Sequence, residues 1–327
     1  MLSRVANSIY WMSRYIERAE NVARFIEVNL HLMLDRPAGA EHSEQWEPLV
    51  STTGDLDPFR ERYGEATKEN VLRFLTFDKE NPNSILSTLT RARENARTIR
   101  ETITSEMWEQ INKFYFFVKE SAYSDAATDT PQDIYSKVKM ESHLYAGIAD
   151  ATMNRGEDWH FARLGKLIER ADKTSRIIDV KYFLLLPKPE DVGTPFDNIQ
   201  WAALLKSASA LDMYRRKFDH ITPERVASFL ILDRNFPRAI LFCIMVAENS
   251  LHAITGSPMD SYQNEAERRL GLLQSELVFA SIGEMIDVGL HEYLDTILTR
   301  LNRVDAAIRR SFFSMEPAKV KGGGASQ

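Results

Sequence analysis

The sequence predicts an all-α protein, a helical bundle built from two tandemly duplicated halves related by a pseudo-two-fold axis. Helical periodicity runs through nearly the whole chain, strand-like alternation is scarce, and glycine and proline cluster in a few breaks. A charged string also occurs twice, as "RYIERAENVAR" over Arg14–Arg24 and "KLIERADKTSR" over Lys166–Arg176. Aligning Tyr15–Val28 with Leu167–Val180 gives seven identities in fourteen positions at an offset of 152 residues. Further on, "FLTFDKENPNSI" (Phe74–Ile85) matches "FLILDRNFPRAI" (Phe229–Ile240) at an offset of 155, sharing phenylalanine, leucine, aspartate, proline and isoleucine. Two ordered matches at nearly one offset place the halves at 1–152 and 153–315, each domain-sized, with a flexible tail over 316–327.

The elements follow in order. The first helix opens near Ser3, a plausible cap, and runs to Leu34, where "DRPAG" stops it. At 100° per residue, Trp11, Met12, Tyr15, Ile16, Ala19, Val22, Ala23, Ile26 and Leu30 share one broad face. Arg14, Glu17, Arg18, Asn21 and Arg24 gather on the other. Shorter helical pieces lie between Glu44 and Phe77, and "DKENPN" breaks the chain before a helix from about Ser84 to Ile103. Ser105 or Thr104 caps the next helix, "SDAATDTPQD" is a polar loop, and "IYSKVKMESHLYAGIADATMN" continues helically. The pattern restarts near Arg155-Gly156 with the second long amphipathic helix, ended by "PKPEDVGTP". Helices then cover roughly 195–217, 223–232, 236–255 and 262–314, the last broken near Gly283 or Gly289.

Composition excludes several classes. With 44% hydrophobic and 27% charged residues, the 327-residue chain reads as globular and able to bury a substantial core. A net charge of -6 argues against nonspecific nucleic-acid binding. The single cysteine, Cys243 in "AILFCIMVA", rules out an internal disulfide framework and fits a reducing, cytoplasmic setting. That run is too short to span a bilayer, and Arg4, Arg14 and Glu17 come too early for a secretory leader. Phosphate loops and nucleophile-elbow motifs do not occur, so no cofactor is called for.

Glu20–Arg24, Asp172–Arg176 and Glu169–Lys173 are acid-before-base pairs at i,i+4. On a solvated face each would stabilise its helix by only about 0.2–0.5 kcal/mol. Matching glutamate-arginine order in both halves suggests more: Glu17-Arg18 and Glu169-Arg170 cross-pair near the axis, or their arginines clamp a carboxylate or phosphate. Arg93, Arg97 and Arg100 form a second stripe with Glu94 and Glu101 beside it, opposite an apolar face. It reads as an exposed basic surface or as a docking site for an anionic partner, and the second half replaces it with Glu248, Asn249 and His252. Asp233, Arg234 and Arg238 in "FLILDRNFPR" could hold a ligand, although a helix–turn–helix joint capped by Asp233 or Asn235 explains the string as well. A di-iron bundle needs two Glu-x-x-His motifs, and only Glu157–His160 qualifies, with Glu248–His252 and Asp287–His291 as further pairs. Metal binding is therefore a minor reading.

Taken together and in order, "SRYIERAENVARFIE", "RARENARTIRETITSEMWEQIN", "HFARLGKLIERADKTSRIID" and "FLILDRNFPRAI" resemble the Alpha-E family of bacterial proteins over nearly the whole chain. The resemblance implies a helical fold whose ER pairs map onto Glu17-Arg18 and Glu169-Arg170, with no catalytic role attached. Family members are typically encoded beside, or fused to, circularly permuted ATP-grasp and transglutaminase-like proteins. That setting implies an accessory or binding subunit of a peptide- or amide-bond-forming system, with an ATP-grasp ligase or a transglutaminase-like protein as partner. Self-association is a further option. The alternative is an enzyme using a charged Glu/Arg cleft between helices for acyl or amide transfer.

Overall fold

The computed structural model describes residues 1–34, 46–123, 131–183 and 195–314, and these form fifteen α-helices with no strand among them. The first, α1 (Ser3–Leu34), is followed by α2 (Glu47–Thr53), α3 (Leu56–Tyr63), α4 (Lys68–Thr76), α5 (Ile85–Thr98), α6 (Ser105–Ser121) and α7 (Pro131–Thr152). Then come α8 (Glu157–Phe183), α9 (Pro195–Ser207), α10 (Leu211–Lys217), α11 (Pro223–Leu232), α12 (Ile240–Thr255), α13 (Glu265–Phe279), α14 (Ile282–Val288) and α15 (Leu290–Ile308). A π turn, Arg309–Phe313, ends the described chain. The stops read at "DRPAG" and "PKPEDVGTP", most of the 124–133 loop and the tail over 316–327 lie outside the described residues.

Local chemistry sets these boundaries. Thr67, Ser84, Thr104, Thr222, Asn264 and Ser281 each accept a hydrogen bond from the backbone N–H three residues on, satisfying a donor that the first turn leaves free. Ser281 and Glu284 complete a reciprocal capping box. Gly54 and Gly256 end their helices in left-handed conformations, φ 81° and 73°, where a Cβ would be strained. Two expectations shift. The helix read from Ser84 to Ile103 closes at Thr98, and the interval 195–217 is divided at Ser209, whose φ of 51° breaks the helix.

The two long helices, α1 and α8, pack side by side at the centre of the body. They run in parallel: the Met1 ammonium meets Glu157, Tyr10 lies at Gly165, and Glu17 meets Arg170. Helices α5 and α7 flank α1 with α6 between them, while α12 and α15 flank α8 with α13 between them. Two apolar cores result. The apolar stripe of α1, from Met12 and Ile16 to Ile26 and Leu30, faces one; Leu164, Leu167, Ile168, Ala171 and Ile178 of α8 face the other. Phe312 and Phe313 of the π turn pack against both.

Each long helix thus turns its apolar side outward to its own neighbours and its polar side inward to the other. The polar side of α1, which amphipathicity alone would place in water, is buried: Arg14, Glu17, Asn21 and Arg24 are each at most 8% exposed. The backbones approach tightly at Gly165, where a Cβ would stand 2.3 Å from the Tyr10 carbonyl oxygen. Only glycine lets the backbones meet so tightly. Gly165→Ala is therefore expected to destabilise the protein in urea unfolding. Overpacking costs about 1–3 kcal/mol, more than the roughly 1 kcal/mol that alanine gains in a helix. A variant as stable as the parent or more so would show that the helices can separate at no cost.

Candidate functional site

Two reciprocal ion pairs cross the seam between α1 and α8. Arg18 Nε donates to Glu169 Oε1 at 2.7 Å and its Nη2 to Glu169 Oε2 at 2.9 Å. Arg170 mirrors this, with Nε donating to Glu17 Oε1 and Nη2 to Glu17 Oε2, both at 2.8 Å. Both pairs are bidentate, using the fork geometry that lysine lacks. The third guanidinium nitrogen of each arginine turns to a helix-joining turn: Arg18 Nη1 donates to Asn83 Oδ1 at 2.8 Å, and Arg170 Nη1 to the Pro237 carbonyl at 3.4 Å.

More cations close around the two glutamates. Arg14 Nε donates to Glu169 Oε2 at 2.9 Å, while its Nη1 reaches Asp305, which also accepts from the Tyr10 hydroxyl. Arg238 Nη1 donates to Glu17 Oε1 at 3.0 Å and its Nη2 bonds Glu20. Glu20 also accepts from Arg24 and from the Ser142 hydroxyl, and Arg24 extends to the Ser209 hydroxyl. On α8, Asp172 pairs with Arg176 at 3.0 Å and with Lys173 at 3.3 Å. Glu169 is wholly buried and Glu17 is 2% exposed.

Such burial raises carboxyl pKa values, yet here the cations win. For Glu17 the burial penalty is outweighed by Arg170 and Arg238, which hold it at about 2. For Glu169, Arg18, Arg14 and Lys173 overcome burial and hold it well below the usual carboxylate range. At Cys243 the balance goes the other way: burial lifts its thiol to about 12, although Arg170 acts to lower it. It is an inert core residue.

The cross-pairing expected of the ER residues is thus present in the geometry, whereas the solvated-face reading of the i,i+4 pairs is corrected. Glu20–Arg24 and Asp172–Arg176 exist, but inside the seam. The second cluster divides. Arg93 donates to Asn112 Oδ1 at 2.7 Å and its guanidinium lies over the Trp108, Tyr115 and Phe116 rings of α6. Arg97 is 64% exposed and meets Glu94 at 2.7 Å. Arg100 leaves the stripe, since α5 has ended, and covers the Trp108 ring.

At the joint, Asp233 accepts from the backbone N–H groups of Asn235 and Phe236 and pairs with Lys217, so it organises a turn. Arg234 beside it is exposed, and Pro237 precedes α12. No group of three or more histidine, cysteine, aspartate or glutamate residues is placed to hold a metal among the described residues. Glu157 binds the terminal ammonium, His252 Nδ1 faces the Ser257 hydroxyl, and His291 pairs with Asp179. Sequence reasoning missed Asp305, Tyr10 and Ser142 as seam partners, for they carry no pattern along the chain. Arg238 was visible as part of a repeated turn, but its reach to Glu17 was not.

A family model, Alpha-E, described as a predicted alpha-helical domain with a conserved ER motif, matches residues 1–313. Uncharacterized proteins of Mycobacterium bovis and Mycobacterium tuberculosis are 21% identical over 271 residues, covering 78% of this chain and 30% of each relative. The chain thus spans under a third of the length of these relatives. No solved structure matches it.

Because Glu17 is held ionised by burial-resistant pairing, its contribution to stability has a fixed sign with pH. Its folded pKa, about 2, lies below the ordinary 4.5, so its stabilisation is complete above about 4.5 and disappears as pH falls towards about 2. Glu17→Gln should cost about 3–5 kcal/mol at neutral pH, by leaving Arg170 and Arg238 short of a partner, and the deficit should shrink through that window. Urea unfolding of both proteins across a pH series measures it. A deficit that is small, or constant with pH, would contradict the assignment.

Proposed function

Since the chain belongs to the Alpha-E family and its ER residues are engaged with one another, we propose that it acts as an accessory or binding subunit rather than a self-sufficient enzyme. One observation carries this reading: both ER carboxylates are saturated by guanidinium groups and held ionised. General acid–base or acyl-transfer chemistry needs a carboxylate able to exchange a proton or reach a substrate near neutral pH. Glu17 and Glu169 are better suited to holding helices together than to either task.

We also read the body as a duplicated unit, with halves at 1–152 and 153–315. Support comes from the like order of helices and from the two helix-joining turns at Asp78 and Asp233, each of which caps the turn through Oδ1. Arg24 contacts Ser209 while Arg176 lies against Gly54, the two left-handed residues at an offset of 155. A two-fold axis between parallel helices sets like residues opposite one another, where equal charges would repel. Consecutive glutamate and arginine resolve this, because each glutamate takes the arginine across the axis.

The partner proposed is an ATP-grasp ligase or a transglutaminase-like protein, in a cytoplasmic peptide- or amide-bond-forming system. The resemblance motivates that choice, and the greater length of the mycobacterial relatives supports a body that works joined to other protein. Arg97 and Arg100 are the exposed cations of the α5 end available for docking an acidic surface. Co-purification with the neighbouring ATP-grasp protein, with ATP turnover measured with and without this chain, tests the role. Complex formation is expected, with turnover altered only when both are present. Arg97→Glu should weaken binding without changing the melting temperature, and wild-type binding should fade as salt shortens the Debye length from about 10 Å at 0.1 M to about 3 Å at 1 M. Undiminished binding by the variant would place docking elsewhere, and ATP turnover by the chain alone would refute the accessory role.

A further inference from the structure

Beside the seam lies a cleft that the ion pairs do not fill. It is bounded by α1, α7 and the start of α8, is open to solvent, and has a volume of about 210 Å³. Its lining is mixed: Ile16, Ala149 and Met153 are apolar, whereas Tyr145, Arg163 and Lys166 are polar.

Three polar groups in this wall are left without full partners. Lys166 lies one turn before Arg170, but its ammonium makes no ion pair among the described residues, nor does the Arg163 guanidinium, which packs over the Trp159 ring at 4.8 Å. Burial, with Arg170 beside Lys166 and Arg155 beside Arg163, lowers the pKa of both. The Tyr145 hydroxyl, 6% exposed as a residue and next to Ser13, has no hydrogen bond of good geometry among the described residues. Buried donors and charges without partners are costly, and a ligand that supplies acceptors removes that cost.

Acids define the other limit on what can enter. Glu17, Glu20 and Asp150 also line the cleft, and Asp150 pairs with Arg155 at 2.9 Å. These carboxylates disfavour a dianion such as phosphate, yet they suit a ligand whose negative group is single and whose other end is cationic or neutral. We infer that the cleft binds the free carboxylate of a small amino acid or of a peptide's terminal residue, with Lys166 and Arg163 as cationic partners and Tyr145 as hydroxyl donor. The cleft is open to solvent on one side, so a peptide's terminal residue can enter while the rest of the chain stays outside.

Titration calorimetry on the whole chain alone tests this separately from any protein partner. The probes are L-alanine, L-alanyl-L-alanine, L-alaninamide and inorganic phosphate. Binding of alanine, of the dipeptide or of both is expected, and the comparison tells a free amino acid from a peptide terminus. Alaninamide, which lacks the carboxylate, should not bind. Lys166→Met should weaken binding by about tenfold or more, since a charge-assisted contact is lost. The same variant should melt close to the wild type without ligand, because Lys166 makes no ion pair among the described residues. If it does not fold, Arg163→Gln, nearer the surface, should weaken the same ligand. No binding, equal binding of alaninamide, binding of phosphate alone, or variants that bind unchanged would each overturn the inference.

Discussion

Everything in this fold is arranged around the reciprocal glutamate–arginine exchange between α1 and α8. Buried ion pairs contribute little net stability when the desolvation of both charges is counted, but they are strict about geometry, because a displaced partner leaves a charge buried alone. Here each bidentate pair fixes both the distance between the helices and their register. A slip of one helical turn would set Glu17 beyond reach of Arg170 and Arg18 beyond reach of Glu169. The seam specifies how the two apolar cores are joined, and the cores supply the stabilisation.

That division explains why two amphipathic helices face each other with their polar sides. The apolar stripes are committed to α5 and α7 on one side and to α12 and α15 on the other. What remains for the central contact is charge, and it is tolerable only because most acids in the seam are met by guanidinium groups. Arg14, Arg24 and Arg238 extend the exchange to Asp305, Glu20, Ser209 and Asn21, so that the lattice ties α1 to the turns and helices around α8. Lys166 stands apart as a cation at the lattice edge without an ion pair among the described residues, which is why the cleft beside it is chemically distinct from the lock.

Much of the fold was legible because helices announce themselves locally. Period, caps and breakers located α1, α6 and α11 closely, and recurrence of Glu-Arg at matching positions made cross-pairing a natural expectation. Solvent exposure was not legible: a helix with one charged face looks the same whether that face meets water or another charged face. The same ambiguity misplaced the Glu20–Arg24 and Asp172–Arg176 pairs. Arg100 was misread because 100° periodicity continues on paper past Thr98, whereas the backbone turns there. Asp305 and Ser142 join the seam through packing alone, and Lys166 stands out only once the cleft exists. The charged strings were visible in the sequence; which charges lack a partner depends on three dimensions.

The most direct measurement of the central claim is a double-mutant cycle on Arg18 and Glu169, comparing urea unfolding of the wild type, Arg18→Ala, Glu169→Ala and the double variant. Residues within one buried network couple by about 0.5–3 kcal/mol, and the bidentate geometry places this pair in the upper part of that range, with the double variant less impaired than the two single effects added together. Additive losses, with coupling below about 0.5 kcal/mol, would mean that the two side chains do not depend on each other, and the lock between α1 and α8 would have to be sought elsewhere.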